Sequence, residues 1–192
     1  MFDQLCQTYG DSVTSLGWYS RFTQEQRFWA LTTGIEWEGQ TLLDVGCGQG
    51  DLAGFLQTHQ LSAQYTGIDL SPRMIQVAQK KYPEAHFQVG DALDTAFSGQ
   101  ADLVLASGVF NHKVETPAAY FRWVLNRLMQ MARQVVAVNV LSDFTPQAQR
   151  ESDLFTYYSP AEVLSWAMEL TPYVELRHHY LPNDLTVILY KK

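Results

Sequence analysis

Three glycines spaced two apart, Gly46, Gly48 and Gly50, follow the apolar run Thr41 to Val45 and lead into an amphipathic stretch that begins at Asp51. Glycine has no Cβ, so a turn built this way bends tightly and lets a ligand lie against the main chain. Acids stand around that turn. Asp44 precedes it, Asp69 closes the run Gly67-Ile68-Asp69-Leu70-Ser71, and Asp91 sits in Val89-Gly90-Asp91-Ala92. Asp69 falls about 20 positions after the turn, where a carboxylate at the end of a second strand accepts hydrogen bonds from the two hydroxyls of a ribose. The pattern therefore reads as a nucleoside-containing cofactor site at the ends of adjacent strands.

A second group of side chains suits proton transfer or acceptor binding. The run Asp102 to Ser107 opens into Gly108-Val109-Phe110-Asn111-His112, and imidazole is the side chain best matched to proton removal near neutral pH. His112 is accordingly the candidate base, with Asn111, Asp143, Tyr157 and Trp18 as candidates for substrate contact. Tyr158, His179 and Tyr180 are weaker candidates that read first as structural residues. His178 and His179 are adjacent, and neighbours in a strand point to opposite faces, so no metal site is expected there.

Positioning these residues requires strands that end together. Apolar runs at Thr41 to Val45, Gln64 to Ile68, His86 to Val89, Asp102 to Ser107 and Gln134 to Val140 alternate with amphipathic stretches, the pattern of a parallel sheet covered on both faces. Two further strands, Val174 to His179 and Leu185 to Tyr190, are separated by the turn cluster Leu-Pro-Asn-Asp, so the sheet should end in an antiparallel hairpin. Ser71-Pro72, Thr116-Pro117 and Ser159-Pro160 each place a capping hydroxyl before a proline at the first helical position, and Ser159 with Glu162 makes a capping box. After Thr116 the residues Phe121, Val124, Leu125, Leu128 and Ala132 form an apolar helix face. The expected fold class is α/β, a doubly wound Rossmann-like seven-stranded sheet with helices on both faces, as one domain: a helical cap over 1–40 and a core over 41–192.

The bulk properties narrow the partners. A chain of 192 residues buries enough surface to fold without disulfides, and its two cysteines, Cys6 and Cys47, form no disulfide or zinc pattern. The formal charge of -7, with Lys and Arg scattered, disfavours nucleic acid. Neither a signal peptide nor an apolar run near the roughly 20 residues of a membrane span is present, so the expected setting is the cytoplasm and the expected partner a small molecule. Aromatic residues crowd the first thirty positions, among them Trp18, Phe22, Phe28 and Trp29, which fits a helix packed on the core.

Taken in order, Asp44 to Gly50, Asp69, Asp91 and Ser107 resemble the class I S-adenosylmethionine-dependent methyltransferase family over roughly residues 41 to 140. The resemblance implies S-adenosyl-L-methionine as cofactor. It implies that Asp44, Gly46, Gly48 and Gly50 cradle the methionine and ribose, that Asp69 with Leu70 holds the ribose, and that Asp91 with Ala92 contacts the adenine, with Ser107 closing the cofactor side. An N-terminal segment folding over the cofactor, as in related small members, would bring Arg27 to the methionine carboxylate, for which a guanidinium is well shaped. Asp44 favours this ligand physically, because an acidic lip repels a pyrophosphate and attracts an ammonium and a sulfonium. A nicotinamide dinucleotide remains an alternative, since Gly48, Gly50 and Ala53 satisfy its fingerprint, as does a cofactor-binding accessory protein without turnover.

Overall fold

The computed structural model describes residues 20–94, 96–146, 150 and 153–192. Seven strands form one sheet: β1 (Gln40–Val45), β2 (Ala63–Asp69), β3 (His86–Val89), β4 (Ala101–Ser107), β5 (Ala132–Leu141), β6 (Val174–Arg177) and β7 (Asp184–Tyr190). Their spatial order is β3-β2-β1-β4-β5-β7-β6. The first five are mutually parallel, and β7 inserts antiparallel between β5 and β6. Helices α1 (Arg21–Thr32), α2 (Asp51–Thr58), α3 (Pro72–Lys81), α4 (Pro117–Met131) and α5 (Pro160–Met168) accompany it.

Alternation along each strand sorts side chains onto two cores. Leu43, Val45, Val104, Ala106, Val136 and Val138 pack against Phe121, Val124, Leu125 and Leu128 of α4. Leu42, Leu103, Leu105, Val135, Ala137 and Ile188 pack on the opposite face against Phe28 and Leu31 of α1 and Leu52 and Phe55 of α2. Burying each such leucine contributes roughly 2 kcal/mol, so the sheet is fixed from both sides and its strand ends are held in register. The strand order reverses between β1 and β4, which leaves a crevice at their C-terminal ends where α/β sheets bind ligands.

Strand boundaries differ from expectation by a residue or two, with β6 ending at Arg177 rather than reaching His179. The helix starts differ in how they are capped. Ser71 Oγ accepts from the Met74 amide at 3.3 Å, whereas Thr116 and Ser159 make no side-chain cap bond and the capping box with Glu162 does not form. Proline at the first turn, whose fixed φ suits a helix, starts α4 and α5 without it. Ala132 caps α4 and opens β5 instead of continuing the helix face. Among the described residues no helix is long and apolar enough to cross a membrane.

Candidate active site

The glycine turn is pinned to the end of β2. The amides of Gly46 and Cys47 both donate to the Ile68 carbonyl, at 2.8 and 3.1 Å, and Gly50 donates to the Cys47 carbonyl at 2.9 Å. Gly46, Gly48 and Gly50 have φ of +72°, +53° and +78°, a region costly for any residue with a Cβ. Asp69 completes the cradle. Its Oδ2 accepts from the Gly48 amide at 2.9 Å and its Oδ1 from the Ser71 amide at 2.9 Å. Each carboxylate oxygen has a second lone pair, so the bonds that orient Asp69 leave it able to accept further donors.

Asp44 is buried beneath that turn and does not form an open lip. Tyr65, one strand over, donates its hydroxyl to Asp44 Oδ2 at 2.6 Å. Burial first, and then the charges of Asp69 and Asp51, push the Asp44 carboxyl up to about 7 against the lowering effect of the Tyr65 hydrogen bond. The register explains the reach: Leu42 is paired with Tyr65 and Asp44 with Gly67, so Tyr65 and Asp44 stand on the same face of neighbouring strands, two residues apart in register. Nothing local in the sequence marks this pair.

Asp91 follows β3 in an Asx turn, its Oδ1 accepting from the Leu93 amide at 2.8 Å, and Ala92 is buried beside it. Leu70, 69% exposed, and Val89 flank the two acids as exposed apolar side chains at the same edge. Positive-φ glycines, an exposed carboxylate and two uncovered apolar side chains lie together at one sheet edge, a combination suited to a nucleoside.

Across the strand reversal lie the residues that the sequence offers for the acceptor. Ser107 Oγ donates to Asn139 Oδ1 at 3.1 Å, linking the ends of β4 and β5. Beyond it the segment Leu154 to Tyr158 spans the gap between the two strands: the Thr156 amide donates to Asn111 O at 2.8 Å, the Lys113 amide to Leu154 O at 3.0 Å, and the Tyr158 amide to Leu141 O at 2.8 Å. The Asp143 amide returns to Tyr158 O at 3.0 Å. His112 bridges Phe155 through the backbone, their rings 6.2 Å apart, and burial holds its imidazole below its ordinary value. Asn111 Oδ1 is buried with no hydrogen-bond partner. Arg150 grips the carbonyls of Thr145 and Asp143 and lies 5.8 Å from the Tyr157 ring centre, which brings Asp143 and Tyr157 into one loop cluster. The crossing segment carried a signal, because Leu-Phe-Thr-Tyr-Tyr is rich in β-favouring residues.

Arg27 requires a correction. Its Nε and Nη2 bind Asp184 Oδ1 and Oδ2 at 2.6 and 2.7 Å, and the two side chains are 3% and 1% exposed. A guanidinium buried between α1 and β7 needs a carboxylate in its plane, and Asp184 meets that need in place of a cofactor carboxylate. Burial raises the Asp184 carboxyl above its ordinary value, and Arg27 offsets part of that. Asp184 had read as a turn residue. Trp18 lies outside the described residues. A groove of about 1000 Å³ at the opposite edge of the sheet, lined among others by Thr41, Gln64, Tyr82 and His86, reaches Tyr65 but includes neither the glycine turn nor the acids Asp44, Asp69 and Asp91.

Comparison with known proteins agrees with this fold. The family described as "Methyltransferase domain" matches residues 42–131. The candidate methyltransferase Rv1506c of Mycobacterium tuberculosis is 26% identical over 153 residues, 77% of this chain and 91% of its own length. The demethylmenaquinone methyltransferase of Chlorobaculum parvum is 33% identical over 117 residues, 56% of this chain but only 45% of its own. Among solved structures, magnesium protoporphyrin IX methyltransferase from Synechocystis PCC 6803, with bound SAH, superposes with a TM-score of 0.73 over 100% of this chain and 94% of its own, at 16% identity. The fold is thus that of a doubly wound methyltransferase. The family match, the methyltransferase relatives and the solved structures together support a class I S-adenosylmethionine-dependent methyltransferase.

Proposed function

We propose that this chain moves a methyl group from S-adenosyl-L-methionine to a small-molecule acceptor in the crevice between β1 and β4. The observation that carries the reading is the convergence of the glycine turn, Asp69 and Asp91 at one sheet edge, with Ser107 and His112 across the strand reversal. Gly46, Gly48 and Gly50 would take the methionine and ribose, Asp69 the ribose hydroxyls, Asp91 and Ala92 the adenine, with Leu70 against its plane. Asp44, buried below, would balance the cationic tail. When bound, the cofactor supplies an electrophilic methyl group on a sulfonium.

The rest falls to this chain's own residues. Direct displacement needs alignment and exclusion of water more than a dedicated catalytic motif. The segment from Leu154 to Tyr158 closes the gap beside β4 to solvent, and Asn111, with Asp143 and Tyr157 nearby, positions the acceptor. The buried Asn111 oxygen suits an acceptor N–H or O–H. His112 takes the acceptor's proton on its imidazole, which burial keeps unprotonated at neutral pH. Support for a small acceptor comes from relatives named for demethylmenaquinone and magnesium protoporphyrin IX, and from the net charge of -7, which is unsuited to nucleic acid. The buried free thiol of Cys47 fits a reducing compartment such as the cytoplasm.

Calorimetry with S-adenosylmethionine, S-adenosylhomocysteine and a nicotinamide dinucleotide tests the reading. The first two should bind. Binding of the dinucleotide alone would overturn it.

A further inference from the structure

Ser142, fully buried just beyond β5, is where three loops meet. Its amide donates to Asn183 O at 2.9 Å, and it bridges Tyr158 of the crossing segment. Its Oγ accepts from the Phe144 amide at 3.2 Å and lies 2.7 Å from His178 Nε2. A buried hydroxyl proton needs an acceptor, and among the described residues that nitrogen is the one within reach. Ser142 therefore donates to Nε2, and His178 carries its own proton on Nδ1. Nδ1 has no protein partner and is not among the buried polar atoms left unpaired, so it faces solvent. Beside it stands the Phe144 ring, 72% exposed and edge-on to the imidazole at 5.4 Å.

The site lies on the edge that holds the acceptor side. Thr156 bonds Asn111 and His112 on one flank of the crossing segment, and Tyr158, two residues on, bonds Leu141 and Asp143 on the other. We propose that His178 is a specificity-determining residue whose Nδ1–H, fixed by Ser142, donates to the acceptor while Phe144 supplies an apolar wall. The acceptor it selects is flat and apolar and carries a carbonyl oxygen. This rests on the methyltransferase reading above, since it assigns the second substrate of that site.

The experiment uses ¹⁵N-labelled protein saturated with S-adenosylhomocysteine, with menadione as a flat dione probe and 2-methylnaphthalene as its oxygen-free match. Long-range ¹H–¹⁵N spectra should show His178 as the Nδ1–H tautomer, and Ser142→Ala should mix in the Nε2–H form. Menadione should shift the His178 and Phe144 signals and bind about tenfold more tightly than the hydrocarbon, the size of one net hydrogen bond. His178→Phe should abolish that difference, and His178→Asn, which keeps an N–H, should restore part of it. An Nε2–H tautomer in the unaltered protein, a dione that binds no better than the hydrocarbon, or a difference that survives His178→Phe would each overturn the proposal. Absence of heat with S-adenosylhomocysteine would defeat the cofactor reading instead, while the tautomer and menadione measurements still decide His178.

Discussion

Tyr65 hands its hydroxyl proton toward Asp44 at 2.6 Å, so the acid next to the glycine turn is held by a neighbouring strand rather than by water. With its carboxyl near 7 in the folded chain against 3.8 when unfolded, Asp44 binds a proton more tightly in the native state. Stability from this group is full below the unfolded value and is lost as pH rises from about 4 to 7, by on the order of 1.4 kcal/mol per unit. Urea unfolding of the protein alone should show that fall. Asp44→Asn should flatten it, and a slope identical in both proteins would refute the assignment.

The same group predicts proton release on cofactor binding. A cationic tail above Asp44 favours its ionised form, so at pH 6 binding of S-adenosylmethionine should expel a proton and affinity should rise toward pH 8. Calorimetry in two buffers of different ionisation heat reads the released proton directly. Equal heats in both would count against an ionic role for Asp44.

Asp69→Ala removes an acceptor of charge-assisted bonds worth about 1.5 to 3 kcal/mol each, so affinity for S-adenosylhomocysteine should drop roughly tenfold to more than a hundredfold. Part of the loss comes through the glycine turn, because Asp69 also holds the amides of Gly48 and Ser71. Unchanged affinity in a folded variant would take Asp69 out of the site.

Much of this was legible in the sequence because it is local. Strands announced themselves as apolar runs, the glycine turn as spacing, and the acids as strand-end residues. What stayed hidden joins distant positions: Tyr65 to Asp44, Arg27 to Asp184, and His178 to Ser142 depend on register and strand order, which no window of neighbouring residues encodes. Arg27 illustrates the failure. A guanidinium near a cofactor site suggests a carboxylate partner, and only the placement of β7 shows that the protein supplies its own.

Arg27→Met should destabilise the fold by about 3 to 5 kcal/mol, because it leaves the Asp184 charge buried alone. The double variant Arg27→Met with Asp184→Leu should recover most of that and still bind S-adenosylhomocysteine. If the double variant folds yet loses the ligand, Arg27 acts on the cofactor after all.

His112→Ala should leave cofactor affinity nearly unchanged and slow turnover at least a hundredfold once an acceptor is in hand, as removal of a general base does. Single-turnover kinetics separates the cases: a smaller loss with a raised KM indicates positioning, and retained activity rules out the base.

The ion pair of Arg27 with Asp184 joins residues 157 positions apart, and β7 must slot between β5 and β6 before its acid is in place. Synthesis runs from the N-terminus, so α1 exists long before the strand that completes its seat. Until then its guanidinium has no carboxylate to meet, and Phe28 and Leu31 have only part of the face they later cover. The seat of α1 is therefore complete only once β7 has joined the sheet, and a chain stalled short of β7 would leave the Arg27 guanidinium without the carboxylate that balances it, a defect of the kind that chaperones and proteases act on.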